Sequence, residues 1–221
     1  MIEIKNHDRI ENYFRDSDFL ELFSFDIKPF VRIWQFEPDE VIIPEGTEPH
    51  FLMYLIEGRA KVFLTHANGK VSLANFLTAP CFIGEVEFLE AQKFAKGVKA
   101  MTACTCFAIR YQSCKDMILE DAKFLRHLCI FLGKKAVNNT ENYSRNLAYS
   151  LETRLAAFIL EASRDRYYRE RHTEISEYLG VTYRHFLYVL ADFVKKGILK
   201  KTKQGYYIEN MDLLRKIANK K

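Results

Sequence analysis

HTEISEYLGVTYRHFLYVLADFVKKGILKK, residues 172–201, places a Gly-Val-Thr break between two stretches of helical period. In the second stretch Phe186, Leu187, Leu190 and Phe193 recur at helical spacing and form the expected buried face. Gly180 can take the positive φ that ends the first helix, Val181 can plug the angle between the two, and Thr182 can cap the second. Tyr183, Arg184, His185 and, one turn on, Tyr188 are left on the outer face. Aromatic hydrogen-bonders beside a guanidinium are an odd choice for a face that meets only water.

Two helices joined by a short Gly-containing turn form a helix-turn-helix, whose second helix enters the major groove of DNA. The first residues of that helix reach base edges. Arg184 is suited to a bidentate bond with guanine, and Tyr183 to a phosphate or a thymine methyl. In LKKTKQGYYIEN, residues 199–210, Gln204-Gly205 makes a turn between two short strands. Lys200, Lys201 and Lys203 on this hairpin are placed to hold phosphates of the flanking backbone. Three compact helices from about Ser150 onwards, then a hairpin, describe a winged helix-turn-helix. The plainer alternative is an all-helical packing module, since short helices joined by Gly are common.

Charge argues for the first reading. Residues 172–221 carry ten Lys or Arg against five Asp or Glu, whereas the whole chain of 221 residues has a net charge of only +4. The remaining residues are therefore slightly acidic, and the C-terminal segment is the part suited to a polyanion. Lys216, Lys220 and Lys221 could equally be a solvated basic tail.

With 48% hydrophobic and 28% charged residues, the chain is expected to be soluble, with room for two domains. No apolar run has the length of a bilayer crossing, so no membrane role is expected. MIEIKNHDRIENYF, at the start, carries charges throughout, which argues against a secretory signal and for the cytoplasm. There the five cysteines are expected to be mostly thiols.

Upstream, VRIWQF, VIIPEG, LMYLIEG, AKVFLT and KVSLANFL are β-branched or aromatic runs broken by Pro, Gly and Asn between about Phe30 and Ile109. Asn68-Gly69 within HANGK (residues 66–70) is a strong hairpin signal. Many short strands with regular turns predict an antiparallel barrel or jelly roll. From Lys115 to Asn146 a single Gly interrupts a long helical pattern in which Leu125, Cys129, Leu132, Ala136, Asn139, Tyr143 and Asn146 alternate spacings of four and three. That seam predicts pairing with a second copy of the helix, with the asparagines favouring one register. Packing on the chain's own β domain is the alternative. The expected fold is α+β: a β-roll sensor domain with an N-terminal helical segment over residues 1–114, a dimerisation helix and hinge over 115–149, and a winged helix-turn-helix over 150–221.

Several stretches resemble the CRP/FNR family of bacterial transcription regulators. IIPEGTEPHFLMYLIEGRAKVFL (residues 42–64) is similar to the family's β-roll pattern, and PCFIGEVEFLE (80–90) to the segment opening its ligand cassette. RLAAFILEAS (154–163) resembles the helix after its interdomain hinge. SLANFLTAPCFIGEVEFLE and GVTYRHFLYVLADF resemble the YeiL-like branch in particular. The resemblance implies a double-stranded β-helix sensor of the cyclic-nucleotide-binding type, a homodimer on a near-palindromic DNA site, and RNA polymerase as a partner.

It also implies a ligand pocket, for which Gly84, Glu85, Lys93 and Phe94 are the candidates. The Arg-Ser pair that grips the phosphate of cyclic AMP in the family falls on Phe94 and Ala95 here. A planar guanidinium fork is not replaced by Phe without loss of the anion site, and Lys93 and Lys96 are weaker substitutes. Cyclic AMP sensing is therefore not expected, and Glu85 and Glu87 are expected to bond backbone or nearby cations. The family's oxygen-sensing branch uses N-terminal cysteines for an iron–sulfur cluster, and this chain has none before Cys81. Cys104 and Cys106 share one strand face, and Cys81 could approach them, while Cys114 and Cys129 lie towards the helix. Buried hydrophobes are the expectation, with a redox or cluster role for Cys81, Cys104 and Cys106 as the alternative. No Cys-x-x-Cys spacing supports zinc, and the six scattered histidines form no pair for metal catalysis. Neither an enzyme nor a resident cofactor is expected. A cyclic-nucleotide-binding signalling module is a further alternative.

Overall fold

The computed structural model describes residues 1–69 and 71–220. Lys70, at the end of HANGK, and Lys221, in the basic tail, lie outside the described residues. The chain forms two compact units, Met1–Lys134 and Lys135–Lys221.

The first unit opens with β1 (Ile2–Ile4), α1 (His7–Arg15) and 3-10 turns at Asp18–Leu22 and Lys28–Phe30. Then come β2 (Val31–Phe36), β3 (Val41–Ile43), β4 (Phe51–Glu57), β5 (Arg59–Thr65), β6 (Val71–Thr78) and β7 (Cys81–Ile83). A short α2 (Glu85–Phe88), β8 (Gly97–Ala100), β9 (Cys104–Arg110) and α3 (Tyr111–Leu119) follow. One sheet runs β1-β2-β9-β4-β7 and the other β3-β8-β5-β6, with antiparallel neighbours throughout. This is the expected jelly roll, with β1, β7 and β8 added to the strands legible in the sequence.

Two apolar cores sandwich the five-stranded sheet. Its inner face sends Trp34, Leu55, Cys106 and Ala108 against Ile43, Ala60, Leu77 and Val98 of the four-stranded sheet. Its outer face sends Ile33, Leu52, Phe82, Phe107 and Ile109 against Phe14, Phe19, Phe23, Ile118 and Phe124. Covered on both sides, β9 is buried at every residue from Cys104 to Ile109, and so reads CTCFAI with little polar alternation. Stacked Phe14–Phe107 and Phe23–Phe124 pairs, with centroids 4.9 and 4.8 Å apart, tie the N-terminal segment to this outer core. Each such pair contributes about 0.5–1.5 kcal/mol beyond its buried area.

The single helix expected from Lys115 to Asn146 is in fact two. α3 ends at Leu119, and α4 (Ala122–Ala148) starts after Asp121. Ile118 and Phe124 both belong to the outer core, and a straight helix would point them about 120° apart. The break lets both reach the same apolar surface. Asp121 fixes it: its carboxylate accepts from the backbone N–H groups of Lys123 (3.0 Å), Phe124 (3.3 Å) and, across the chain, Ser24 (2.7 Å). Burial opposes its ionisation, but these hydrogen bonds outweigh it and hold the carboxyl below its usual value.

A depressed carboxyl contributes stability above its unfolded pKa of about 4 and loses it as pH falls towards the folded value. Asp121→Ala should therefore lower unfolding stability by roughly 1–2 kcal/mol at neutral pH. In urea melts the gap to the parent should narrow below about pH 4, and a gap that stays constant with pH would contradict this account.

The second unit takes up the rest of α4, then α5 (Leu151–Ala162), β10 (Tyr167–Tyr168), α6 (His172–Tyr178), α7 (Tyr183–Lys195), β11 (Leu199–Thr202), β12 (Gly205–Ile208) and α8 (Met211–Ala218). β10 and α8 add to the expected three helices and hairpin, and β10 widens the wing into a sheet of order β10-β12-β11. The buried face of α7 is Phe186, Val189, Leu190 and Phe193. Leu187, expected there, is exposed and Val189 takes its place. Positions 186, 189, 190 and 193 form one helical stripe, whereas 187 lies about 100° off Phe186.

Candidate nucleic-acid interface

The turn between α6 and α7 closes as a Schellman motif. Gly180, at φ 64°, donates its N–H to the Glu177 carbonyl, and Val181 donates to that of Ser176. Thr182 then caps α7, its hydroxyl accepting from the His185 N–H at 3.3 Å. These bonds set the angle at which α7 leaves the unit. Along its first turns Tyr183, Arg184 and His185 are exposed, and Tyr188 is 72% exposed.

Arg154 of α5 braces this turn from behind. Its guanidinium donates to the Leu179 carbonyl at the end of α6 (2.7 Å) and to the Asn146 side chain in α4 (2.8 Å). Asn142 donates to the Tyr178 hydroxyl at 3.2 Å. Asn146, read as a seam residue, is exposed and accepts from Arg154 within its own unit. Only folding brings it to α5.

The wing lies beside the start of α7. Burial first, and then nearby Tyr183, push the Tyr206 hydroxyl above its ordinary value. Burial first, and then Lys201, pull the His172 imidazole below its own. Lys201 pairs with Tyr206 in the β11–β12 register. Lys201 and Lys203 are exposed. Lys200, expected to be available to phosphate, lies 3.6 Å from Glu209, which offsets its charge. Sequence reasoning also missed Arg164, Arg166, Arg169 and Arg171 around β10, although SRDRYYRERH (163–172) carries a visible arginine density.

In the first unit the pocket candidates occupy different settings. Gly84 precedes α2, Glu85 is buried, and the Tyr111 hydroxyl donates to the Gly84 carbonyl at 3.0 Å. Lys93 lies over the Phe94 ring, 5.5 Å from its centroid, and 3.9 Å from Glu48. Phe94 is 59% exposed, so its ring does not line an enclosed site, while Ala95 is buried and exchanges backbone bonds with Gly46 and Thr47. Glu87 accepts from Gln92. A cleft of about 310 Å³ lies elsewhere, where Arg9, Tyr13 and Asp16 face Ile56 and Glu57.

Cys81, Cys104 and Cys106 all join the inner core. The Cys104 thiol donates to the backbone carbonyls of Arg59 and Thr102, and burial pushes both its pKa and that of Cys106 up. Among the described residues no group of three or more His, Cys, Asp or Glu is placed to hold a metal ion. Burial also pushes Cys114 up to about 11, whereas Cys129 is exposed.

Along α4, Leu125 and Leu132 pack partly on the outer core, as does Phe131. Cys129, Ala136 and Asn139 are exposed. The bare large apolar side chains of α4 are Ile130 at 45%, Val137 at 58%, Tyr143 at 67% and Leu147 at 72% exposed.

Residues 33–121 match the sequence family described as Cyclic nucleotide-binding domain, and residues 153–217 match Crp-like helix-turn-helix domain. The chain is 41% identical to Regulatory protein YeiL of Escherichia coli O157:H7 over 203 residues, 92% of this chain and 93% of that protein. It is 28% identical over 119 residues to the cAMP-activated global transcriptional regulator CRP of Pasteurella multocida, covering 53% of this chain and 56% of that protein. A CRP-family transcriptional regulator from Thermus thermophilus shares the fold with a TM-score of 0.74 at 20% identity, over 85% of this chain and 97% of that one. A regulator of the crp/fnr family from Eubacterium rectale does so with a TM-score of 0.78 at 15% identity, over 95% and 100%.

Roll, long helix and helix-turn-helix define a class of transcriptional regulators rather than of enzymes. The chain belongs to the CRP/FNR family of transcriptional regulators. Among the described residues no helix is long and apolar enough to cross a membrane.

Proposed function

We propose that the protein is a homodimeric regulator that reads a near-palindromic site in double-stranded DNA. The exposed start of α7 carries the reading: Tyr183, Arg184, His185 and Tyr188 meet base edges, with Thr182 at the cap and Lys201 and Lys203 holding phosphates of the flanking backbone. Two-fold symmetry places the half-sites about one helical turn apart. The dimer forms along α4, through Cys129, Ala136, Asn139 and Tyr143 and the neighbouring Leu147. RNA polymerase is the partner that turns DNA occupancy into altered transcription. Selection of bound fragments from a random DNA pool tests the reading. Recovery of a common inverted repeat is the expected result, and a pool with no enriched sequence would contradict it.

The sensor roll does not use cyclic AMP. The support is Phe94, exposed beneath Lys93, and Ala95, buried against apolar neighbours, at positions where the family pattern needs a phosphate-gripping pair. Calorimetry with millimolar cyclic AMP should show no measurable heat. Micromolar affinity would overturn this.

The reading includes no resident cofactor, because Cys81, Cys104 and Cys106 are packed among apolar side chains and burial raises the Cys104 and Cys106 thiols. In the native protein Cys81, Cys104, Cys106 and Cys114 should react with an aromatic disulfide reagent only on unfolding. Rapid labelling of all four under native conditions would show the roll to be open.

A further inference from the structure

The three-stranded wing sheet has two unlike faces. Tyr168, buried, and Tyr206 point inward towards His172 and Phe186. In the register, Tyr167 lies opposite Tyr207, and Tyr207 opposite Lys200, so these three share the outer face. The Tyr167 and Tyr207 rings approach at 5.2 Å between centroids. Arg169, two residues beyond Tyr167 and therefore on the same face, holds its guanidinium 4.9 Å from the centre of the Tyr167 ring.

The position of Arg169 depends on Gly205. A Cβ there would stand 2.3 Å from the Tyr168 carbonyl oxygen and 3.2 Å from both Cα and Cγ of Arg169. The missing side chain at the wing turn is what lets the Arg169 strand lie against it. Arg169 thus sits at the level of Thr202 and Gly205, at the same end of the sheet as Lys203. It is exposed, and the ring beneath it restricts its rotamers without neutralising it.

From this we infer that Arg169 is a phosphate contact of the wing, acting with Lys203 of the wing turn on the DNA backbone, and that Tyr167 is its positioning residue. The inference rests on the DNA-reading function proposed above. DNA is favoured over an acidic protein surface because Arg169 is continuous with the wing turn and adds to its positive charge. A planar guanidinium is also well matched to phosphate oxygens.

The test compares full-length parent, Arg169→Ala, Tyr167→Leu and Tyr167→Phe on the selected DNA site and on scrambled DNA at several salt concentrations. Each phosphate contact contributes about 0.9 to the slope of log affinity against log salt, so Arg169→Ala should flatten it by about 1.8 for a dimer. Specific and scrambled DNA should lose affinity by the same factor, since phosphates carry no sequence. Tyr167→Leu should move the same way by a smaller amount, while Tyr167→Phe, which keeps the ring, should match the parent. A parent that binds its site while Arg169→Ala leaves the slope unchanged would overturn the inference alone and leave this face for a protein partner. A parent with no DNA affinity at all would overturn the proposed function as well.

Discussion

Tyr143→Glu combined with Leu147→Glu is expected to convert the protein to monomers and to weaken DNA binding more than any other change considered. Both residues are largely exposed on α4 and, four apart, share one helix face with Cys129 and Ala136. Long helices with such a stripe bury it against a partner, and four carboxylates brought into a two-fold seam would oppose one another. The expected loss of affinity for a full palindrome is roughly 10²–10⁴-fold, because each α7 would then bind its half-site without the effective concentration supplied by its twin. Leu125 and Leu132 are poorer sites for this test, since they pack on their own unit's core and charging them would damage the fold. Sedimentation decides the outcome, with circular dichroism to verify that the variant is folded. A folded variant that remains dimeric would place the interface elsewhere.

Arg184→Ala is expected to erase preference at one base position in each half-site. The side chain leaves the first turn of a helix whose cap and preceding turn are fully hydrogen-bonded, so its root is rigid. A bidentate bond to a base edge is worth about 1–3 kcal/mol of discrimination, and a symmetric dimer loses it twice. Binding to scrambled DNA should change much less than binding to the selected site. Lys201→Ala and Lys203→Ala form the contrast: they should weaken all sequences alike and flatten the salt slope by about 0.9 per lost contact. If Arg184→Ala leaves the ratio of specific to non-specific affinity unchanged, α7 does not read bases through this residue.

Much of this arrangement is legible in the chain by itself. Gly180 and Thr182 announce the end of one helix and the start of the next because their roles are local. Positive φ and a side-chain cap depend on neighbours within a few residues. The same holds for Asn68-Gly69 and for the β-branched runs that became β2 to β6. The exposure of Tyr183, Arg184 and His185 follows from helical period, which needs no knowledge of the rest of the molecule.

Other features were settled only by tertiary structure, because they depend on partners distant in sequence. The break at Asp121 arises where a carboxylate meets Ser24, 97 residues away. No local pattern announces that Asn146 accepts from Arg154, whose guanidinium also reaches the Leu179 carbonyl. Leu187 and Val189 are both apolar and close in sequence, and only the position of the packed core selects Val189. The cleft between Arg9 and Glu57 and the seat of Arg169 over Tyr167 join segments that no periodicity connects. Local hydrogen bonds and side-chain period thus wrote the helix-turn-helix into the sequence, whereas the sensor's clefts and the wing's outer face depend on long-range packing, which a one-dimensional pattern does not encode.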